Sequence, residues 1–346
     1  MLRSKLVICV LIMVLVFTFL PAMSMAKIYT IATDPLGSNT YSGTASEARI
    51  LNKYTDNNFK VKSTAGATEI APLLAFGEVE IGTLNNYEAQ MSYLTKENYK
   101  EPLGSLIVSP FRTLTGGTPV VICPLTAASS GILTGTDLKG KRFAADYTSS
   151  VGCTKQGLAF LANWGLTADD VIMLKTPGLT EAVQAVIDGR ADVSGTAGPG
   201  MPIVSELDAT RGARFLSINP EPEALKAYLD IYSAKLIKVE PAPDKPGVRE
   251  PIYMMVMEDF LISNKNLISD EMAYEIVKTL WENAVELSQS HASLTELTPE
   301  MLLSSGAPIP YHPGAIKFYK EKGIWSEAIE ARNQDLLEAE NSLLKK

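Results

Sequence analysis

Ile31-Ala32-Thr33-Asp34, followed by Ser38 and then Gly66-Ala67-Thr68-Glu69, comes back later in the chain as Phe143-Ala144-Ala145-Asp146, Ser150 and Gly178-Leu179-Thr180-Glu181. Each pair lies 112 positions apart, and the same offset carries Gly77 to Gly189, Glu80 to Asp192 and Ile81 to Val193 without a gap. Strand-like and helix-like runs alternate around both copies. The first reads Ile28 to Thr33, a helix near Tyr41 to Tyr54, Phe59 to Ser63, a helix near Glu69 to Phe76, and Glu80 to Leu84. The second follows a strand over Thr113 to Pro119 and reads Arg142 to Ala145, Val151 to Trp164, Val171 to Lys175, Thr180 to Ile187, and Asp192 to Thr196. That order is βαβαβ twice, which predicts an α/β fold with parallel strands. Any two such units can share helix-ending glycines, because glycine enters the left-handed region cheaply. A single ungapped offset through both motifs favours duplication instead, and two lobes built from one unit are expected.

The 346 residues are 46% hydrophobic and 20% charged with 3 Cys, which excludes a disulfide-stapled mini-protein, a disordered chain and a coiled coil, and makes two domains the natural expectation. Net charge is −8 and the basic residues form no block, so nucleic acid and anionic membrane surfaces are excluded as partners.

Arg3 and Lys5 precede an apolar run from Leu6 to Phe17, and Ser24-Met25-Ala26 supplies small residues at a cleavage site. This is the layout of a signal peptide over residues 1–26, with the mature chain starting at Lys27 and periplasmic export expected. Removing Arg3 and Lys5 from 31 basic residues leaves 29 against 39 acidic ones, a net −10. An uncleaved anchor is the alternative, but the run is shorter than the ~20 residues a spanning helix needs. Cys123 and Cys153 remain; they can pair in an oxidising compartment or stay as buried thiols, and their spacing does not decide. No metal site is expected from them, since neither CxxC spacing nor a nearby His is present.

In parallel α/β sheets ligands lie beyond the carboxyl ends of the strands, where loops feed helix N-termini. Five such loops are short, small and rich in hydroxyls or amides. They supply the candidate ligand-binding set: Gly37, Ser38, Asn39, Thr40 and Tyr41; Thr64, Gly66, Ala67 and Thr68; Asn85 and Asn86; Tyr147, Thr148, Ser149 and Ser150; Thr196 and Gly198. Their N–H groups and hydroxyls at positive helix ends suit a carboxylate without any Lys or Arg. Ser, Thr and Asn in such places are also ordinary N-caps, and either role remains open for a single loop. Asp34 and Asp146 either brace their loops or meet a ligand ammonium. Tyr41 and Tyr147 can cover an apolar ligand stem, and Lys155 and Arg112 can add a charge. His291 and His312 read as cap and turn residues, and no nucleophile elbow, P-loop, dinucleotide glycine motif or HExxH is present. No catalysis and no cofactor are expected.

Several stretches together resemble the TAXI-type solute receptors of tripartite ATP-independent periplasmic (TRAP) transporters. They are the opening that ends in Tyr41, Thr64 to Thr68 running on to Leu73-Leu74-Ala75-Phe76-Gly77-Glu78-Val79-Glu80-Ile81-Gly82, Asp137 to Arg142, and above all Tyr311-His312-Pro313-Gly314-Ala315-Ile316-Lys317-Phe318-Tyr319-Lys320-Glu321-Lys322-Gly323. The resemblance implies a two-lobed, type II-like periplasmic binding fold, each lobe a mixed sheet flanked by helices. Lobe I would hold 27–115 and 259–346 and lobe II 116–258, with a hinge near Leu114 to Thr118 and near Glu258. It further implies a monomeric receptor for a small organic acid, an amino acid such as glutamate or an oxo- or dicarboxylate, that docks on ion-gradient-driven TRAP membrane subunits. Two departures from the pattern bear on the ligand: Asp34-Pro35 precedes Gly37, and Ser149-Ser150 with Gly152 stands where a Gly-Ser-Gly run is usual. The alternatives on the same fold are a receptor of an ATP-driven (ABC-type) importer, a sensor lobe, or an exported enzyme.

Overall fold

The computed structural model describes residues 26–345 except Glu296, so the leader expectation lies outside the described residues apart from Ala26. The first repeat contains β1 (Ile28–Thr33), α1 (Asn39–Tyr54), β2 (Asn58–Ser63), α2 (Ala67–Ala75) and β3 (Ile81–Asn85), followed by α3 (Asn86–Tyr93). A long strand β4 (Phe111–Ala127) leads to the second repeat, β5 (Arg142–Tyr147), α4 (Val151–Asn163), β6 (Ile172–Thr176), α5 (Leu179–Ile187) and β7 (Val193–Ala197). Then come α6 (Pro202–Arg211), β8 (Ala213–Phe215), α7 (Pro222–Leu229), β9 (Lys235–Val239) and β10 (Ile252–Asn264). The chain closes with α8 (Asp270–Glu282), α9 (Ala284–Ser288), α10 (Pro313–Glu321) and α11 (Glu327–Leu344).

Strand pairing repeats with the sequence offset. Ile31 pairs with Val61 on one side and Ile81 on the other; 112 positions on, Phe143 pairs with Met173 and Val193. Ser38 and Ser150 both cap, accepting from the N–H of Tyr41 and Cys153. The acid that opens the third strand matches too: Glu80 accepts from Thr30 N–H at 2.9 Å and Asp192 from Arg142 N–H at 2.8 Å. α2 and α5 both end on a left-handed glycine, Gly77 and Gly189.

The duplication breaks at one place. Ala144 pairs with Leu174, but it is Asp146, not Ala145, that pairs with Lys175. One extra residue in β5 makes a bulge, and a one-residue slip exchanges the faces of all that follows. Asp146 is therefore exposed and Tyr147 buried, whereas Asp34 turns into the molecule.

Strand order is β2-β1-β3-β10-β4-β7-β5-β6, with β8 beside β4 and β9 beside β10. β4 pairs antiparallel with β10 as far as Ile122 and with β7 and β8 from Cys123 onward. Two hydrophobic cores result, and the switch between them falls within β4, from Leu114 to Val120, and within β10, from Met257 to Phe260. The first core takes β1 to β3, α1 to α3 and the C-terminal helices; the second takes the other repeat and β8 and β9. α10 begins with Pro313 in its first turn, and His312 caps it by accepting from Gly314 N–H at 3.2 Å. His291 likewise caps a short 3-10 turn. Cys123 and Cys153 are free and buried, so the pairing alternative is set aside. Among the described residues no helix is long and apolar enough to cross a membrane.

Candidate functional site

A cavity of about 40 Å³ lies between the lobes, on the side where the parallel strands of both repeats end. That is room for about three waters. Of the residues expected from sequence, Ser38, Asn39, Thr40, Gly66, Ala67, Asn85, Ser149, Ser150 and Gly198 line it. The others do not. Thr68 and Thr148 meet at the rim, where Thr68 N–H donates to the Ser149 carbonyl at 3.1 Å and its hydroxyl to the Thr148 carbonyl at 3.4 Å. Asn86 also bridges the lobes outside the cavity, donating to the Ser233 carbonyl at 3.1 Å. Thr64 donates to the Thr33 carbonyl and shapes its own loop. Gly37 and Tyr41 stay outside.

Tyr147 and Thr196 need correction. The β5 bulge turns Tyr147 into the second core, where its hydroxyl accepts from Thr196 N–H at 2.9 Å, so neither residue faces the cavity. Nor do the two suggested cations. Arg112 is buried in the first lobe against Glu340 at 2.7 Å, and Lys155 reaches Glu97 at 3.9 Å outside the cavity.

Two helix N-termini in the cavity wall carry no side-chain cap, those of α2 and α5, fronted by Gly66 and Gly178. Gly66-Ala67 and Gly178 to Thr180 both line the cavity; in α2 the Thr68 N–H is taken by the Ser149 carbonyl, while the first N–H groups of each helix have no carbonyl of their own helix to meet. Gly66 has φ +142°, and a Cβ there would lie 2.8 Å from the Ser149 carbonyl oxygen, so this close approach of the lobes requires glycine.

Two carboxylates form an acidic part of the wall. Asp34 lines the cavity after β1, and Asp259 enters it from β10, accepting from the Thr40 hydroxyl at 2.7 Å. Burial pushes the Asp34 carboxyl up to about 7, with the Asp259 and Glu88 charges adding to the rise. Burial also lifts Asp259 to about 6 against the lowering effect of Thr40. Glu47, on α1 beneath this wall, is raised to about 8 by burial and by Asp259. No Lys or Arg lines the cavity among the described residues, and no cluster of three acidic, His or Cys side chains among them is placed to hold a metal ion. Asp34 thus lines the cavity and also takes a hydrogen bond from Thr40 of its own segment, which lowers its carboxyl against the rise, whereas Asp146 is exposed and lies outside the cavity.

Sequence reasoning missed Asp259, Met257 and the Gly178 to Thr180 turn as wall residues. The turn was within reach, being the 112-position partner of Gly66 to Thr68. Asp259 had a weaker signal: Glu258-Asp259 interrupts an otherwise apolar strand.

A family model described as the NMT1-like family matches residues 31–323. Among solved structures, PhnD1 from Prochlorococcus marinus in complex with methylphosphonate superposes with a TM-score of 0.52 at 8% identity, over 86% of this chain and 98% of that one. A binding protein component of an ABC phosphonate transporter from Pseudomonas aeruginosa gives a TM-score of 0.50 at 13% identity, over 92% and 97%. The alkanesulfonate-binding protein SsuA from Xanthomonas axonopodis pv. citri bound to MOPS gives 0.47 at 14%, over 87% and 95%. The first two place this chain in the mixed α/β fold of such binding proteins.

Proposed function

The chain belongs to the NMT1-like family, and from that premise and the chemistry of the cleft we propose that it is a periplasmic solute receptor that binds without catalysis and takes a small zwitterion, an α-amino acid such as glutamate. One observation carries the ligand class: Asp34 and Asp259 share a buried cavity that is lined by no basic side chain among the described residues and reaches the N-termini of α2 and α5, which carry no side-chain cap. A ligand ammonium pairs with the two carboxylates while its own carboxylate rests on backbone N–H groups. A phosphonate, sulfonate or dicarboxylate lacking an ammonium meets Asp34 and Asp259 uncompensated.

A membrane importer is the proposed partner. The Pseudomonas neighbour is named as part of an ABC transporter, which supports an ATP-driven partner; the Tyr311 to Gly323 stretch supports the ion-gradient-driven TRAP class as the second reading. Uptake into vesicles carrying the cognate membrane subunits, energised either by ATP or by a sodium gradient, separates them.

A thermal-shift panel of amino acids, their 2-oxo counterparts, dicarboxylates, sulfonates and phosphonates tests the ligand. At a hundredfold excess over Kd an amino acid should raise Tm by about 5 °C or more. Stabilisation by the anions alone would remove the zwitterion reading.

A further inference from the structure

Three consecutive residues at the start of α3 cross from the first lobe to the second. Asn86 donates to the Ser233 carbonyl and accepts from the Tyr232 hydroxyl at 3.3 Å, and the Tyr87 ring stacks on Tyr232 with centroids 6.0 Å apart. Glu88 goes furthest. It is fully buried, and its Oε1 accepts from the Ser150 hydroxyl at 2.6 Å and from Gly152 N–H at 2.7 Å, both in the second lobe. Its Oε2 accepts from the Tyr99 hydroxyl at 2.6 Å. A carboxylate from one lobe therefore sits on the N-terminus of α4 in the other, where an anion would otherwise be held. Three donors converge on it, an arrangement matched to the ionised form.

We infer that Glu88 is a built-in latch: a positioning residue that closes the ligand-free cleft by occupying the helix end of α4, so that ligand entry has to compete with it. The inference rests on the receptor reading above, in that the lobes part to admit a ligand. Glu88 does not line the cavity, and the cavity it closes is small. The latch therefore holds a closed state that excludes ligand, which lowers apparent affinity by the fraction of molecules it removes from the open state. The charges of Glu88 and Glu97 act on each other, as do those of Glu88 and Asp34, and Lys155 faces Glu97 from the second lobe. Burial raises the Glu88 carboxyl above the usual range, with Ser150, Tyr99 and Gly152 opposing the rise.

Spin labels on exposed Lys62→Cys and Lys175→Cys, one per lobe, report the opening by pulsed dipolar distance measurement in the ligand-free mature chain; Cys123 and Cys153 are buried. Wild type should show a short, narrow distribution. Glu88→Ala should move at least about tenfold of the closed-to-open ratio toward longer distances, and Ser150→Ala should do so in part, which keeps the test decisive if Glu88→Ala fails to fold. Glu88→Ala, which lies outside the cavity, should bind an amino-acid hit more tightly, by up to about tenfold; Ser150 lines the cavity, so its variant is read by the distances alone. Unchanged distances in both variants, or weaker binding by an opened Glu88→Ala, would overturn the latch. The distances need no ligand, so a panel without an amino-acid hit would overturn the ligand class and leave the latch to be decided by the label pair.

Discussion

The two copies of the repeat have kept their frame and parted company at the ligand wall. Pairing register, the serine caps Ser38 and Ser150, and the acids Glu80 and Asp192 all coincide at one offset. The residues after the first strand do not. In the first lobe Asp34 enters the cavity; in the second the bulge at Ala145 sends Asp146 to solvent and buries Tyr147. The first lobe and the β10 crossing thus supply charge through Asp34 and Asp259, while the second supplies hydroxyls, backbone N–H groups and apolar side chains such as Met201. The shared frame brings two helix N-termini to one cavity, and a one-residue register shift of β5 against β6, with no insertion in the sequence, made the two faces chemically different.

Removing the acidic wall should have the largest effect. Asp34→Asn is expected to lower affinity for an ammonium-bearing ligand by about a hundredfold or more, because a buried pair loses one partner, while the ligand-free protein melts higher for want of a buried ionisable group. Titration calorimetry with paired melting curves checks both signs. Next comes a comparison of matched glycines. Gly66→Ala should cost about 1–3 kcal/mol in denaturant unfolding, since φ is +142° and Ser149 is in the way. Gly178→Ala should cost less than about 1 kcal/mol, since its φ is an extended −160° and the obstructing atom is the movable Glu181 carboxylate.

The pH response is smaller and has two opposite signs. Asp259, Asp34 and Glu47 titrate at about 6, 7 and 8 in the fold, against about 4 in the unfolded chain. Between those limits the folded protein holds more protons, so stability without ligand should fall as pH rises from about 4 to 8. Affinity for an ammonium should rise over pH 6 to 7, by about tenfold, as Asp259 and Asp34 ionise. Parallel trends in Tm and affinity would contradict the acidic wall. Smallest of all, Asp146→Asn should change neither binding nor stability by more than about 0.5 kcal/mol; a large loss would mean the two lobes are used alike.

Much of this architecture was legible in the sequence, because periodicity, glycine stops and serine caps are local and the offset needs no structure. β1 begins and ends as read, and the α2 and β3 limits shift by one or two residues. The asymmetry was not legible, since a bulge depends on how β5 and β6 pair across 30 residues, and nothing in Asp146-Tyr147 marks it. Asp259 and Glu88 were out of reach for another reason: each lies far in sequence from the loops it faces, and only the crossing of β10 and the closure of α3 bring them there. Arg112 shows the converse, a charge whose partner, Glu340, lies 228 positions away.

The central claim is a zwitterion held between the Asp34 and Asp259 carboxylates and the helix ends at Gly66 and Gly178. Titration calorimetry of the full mature chain with an amino acid and its 2-oxo counterpart, at about pH 5.5 and pH 8, tests it most directly. One-to-one binding of the amino acid that strengthens toward pH 8, with no measurable binding of the oxo-acid, is the predicted result. Equal or tighter binding of the oxo-acid, or binding that weakens as the two aspartates ionise, would contradict it.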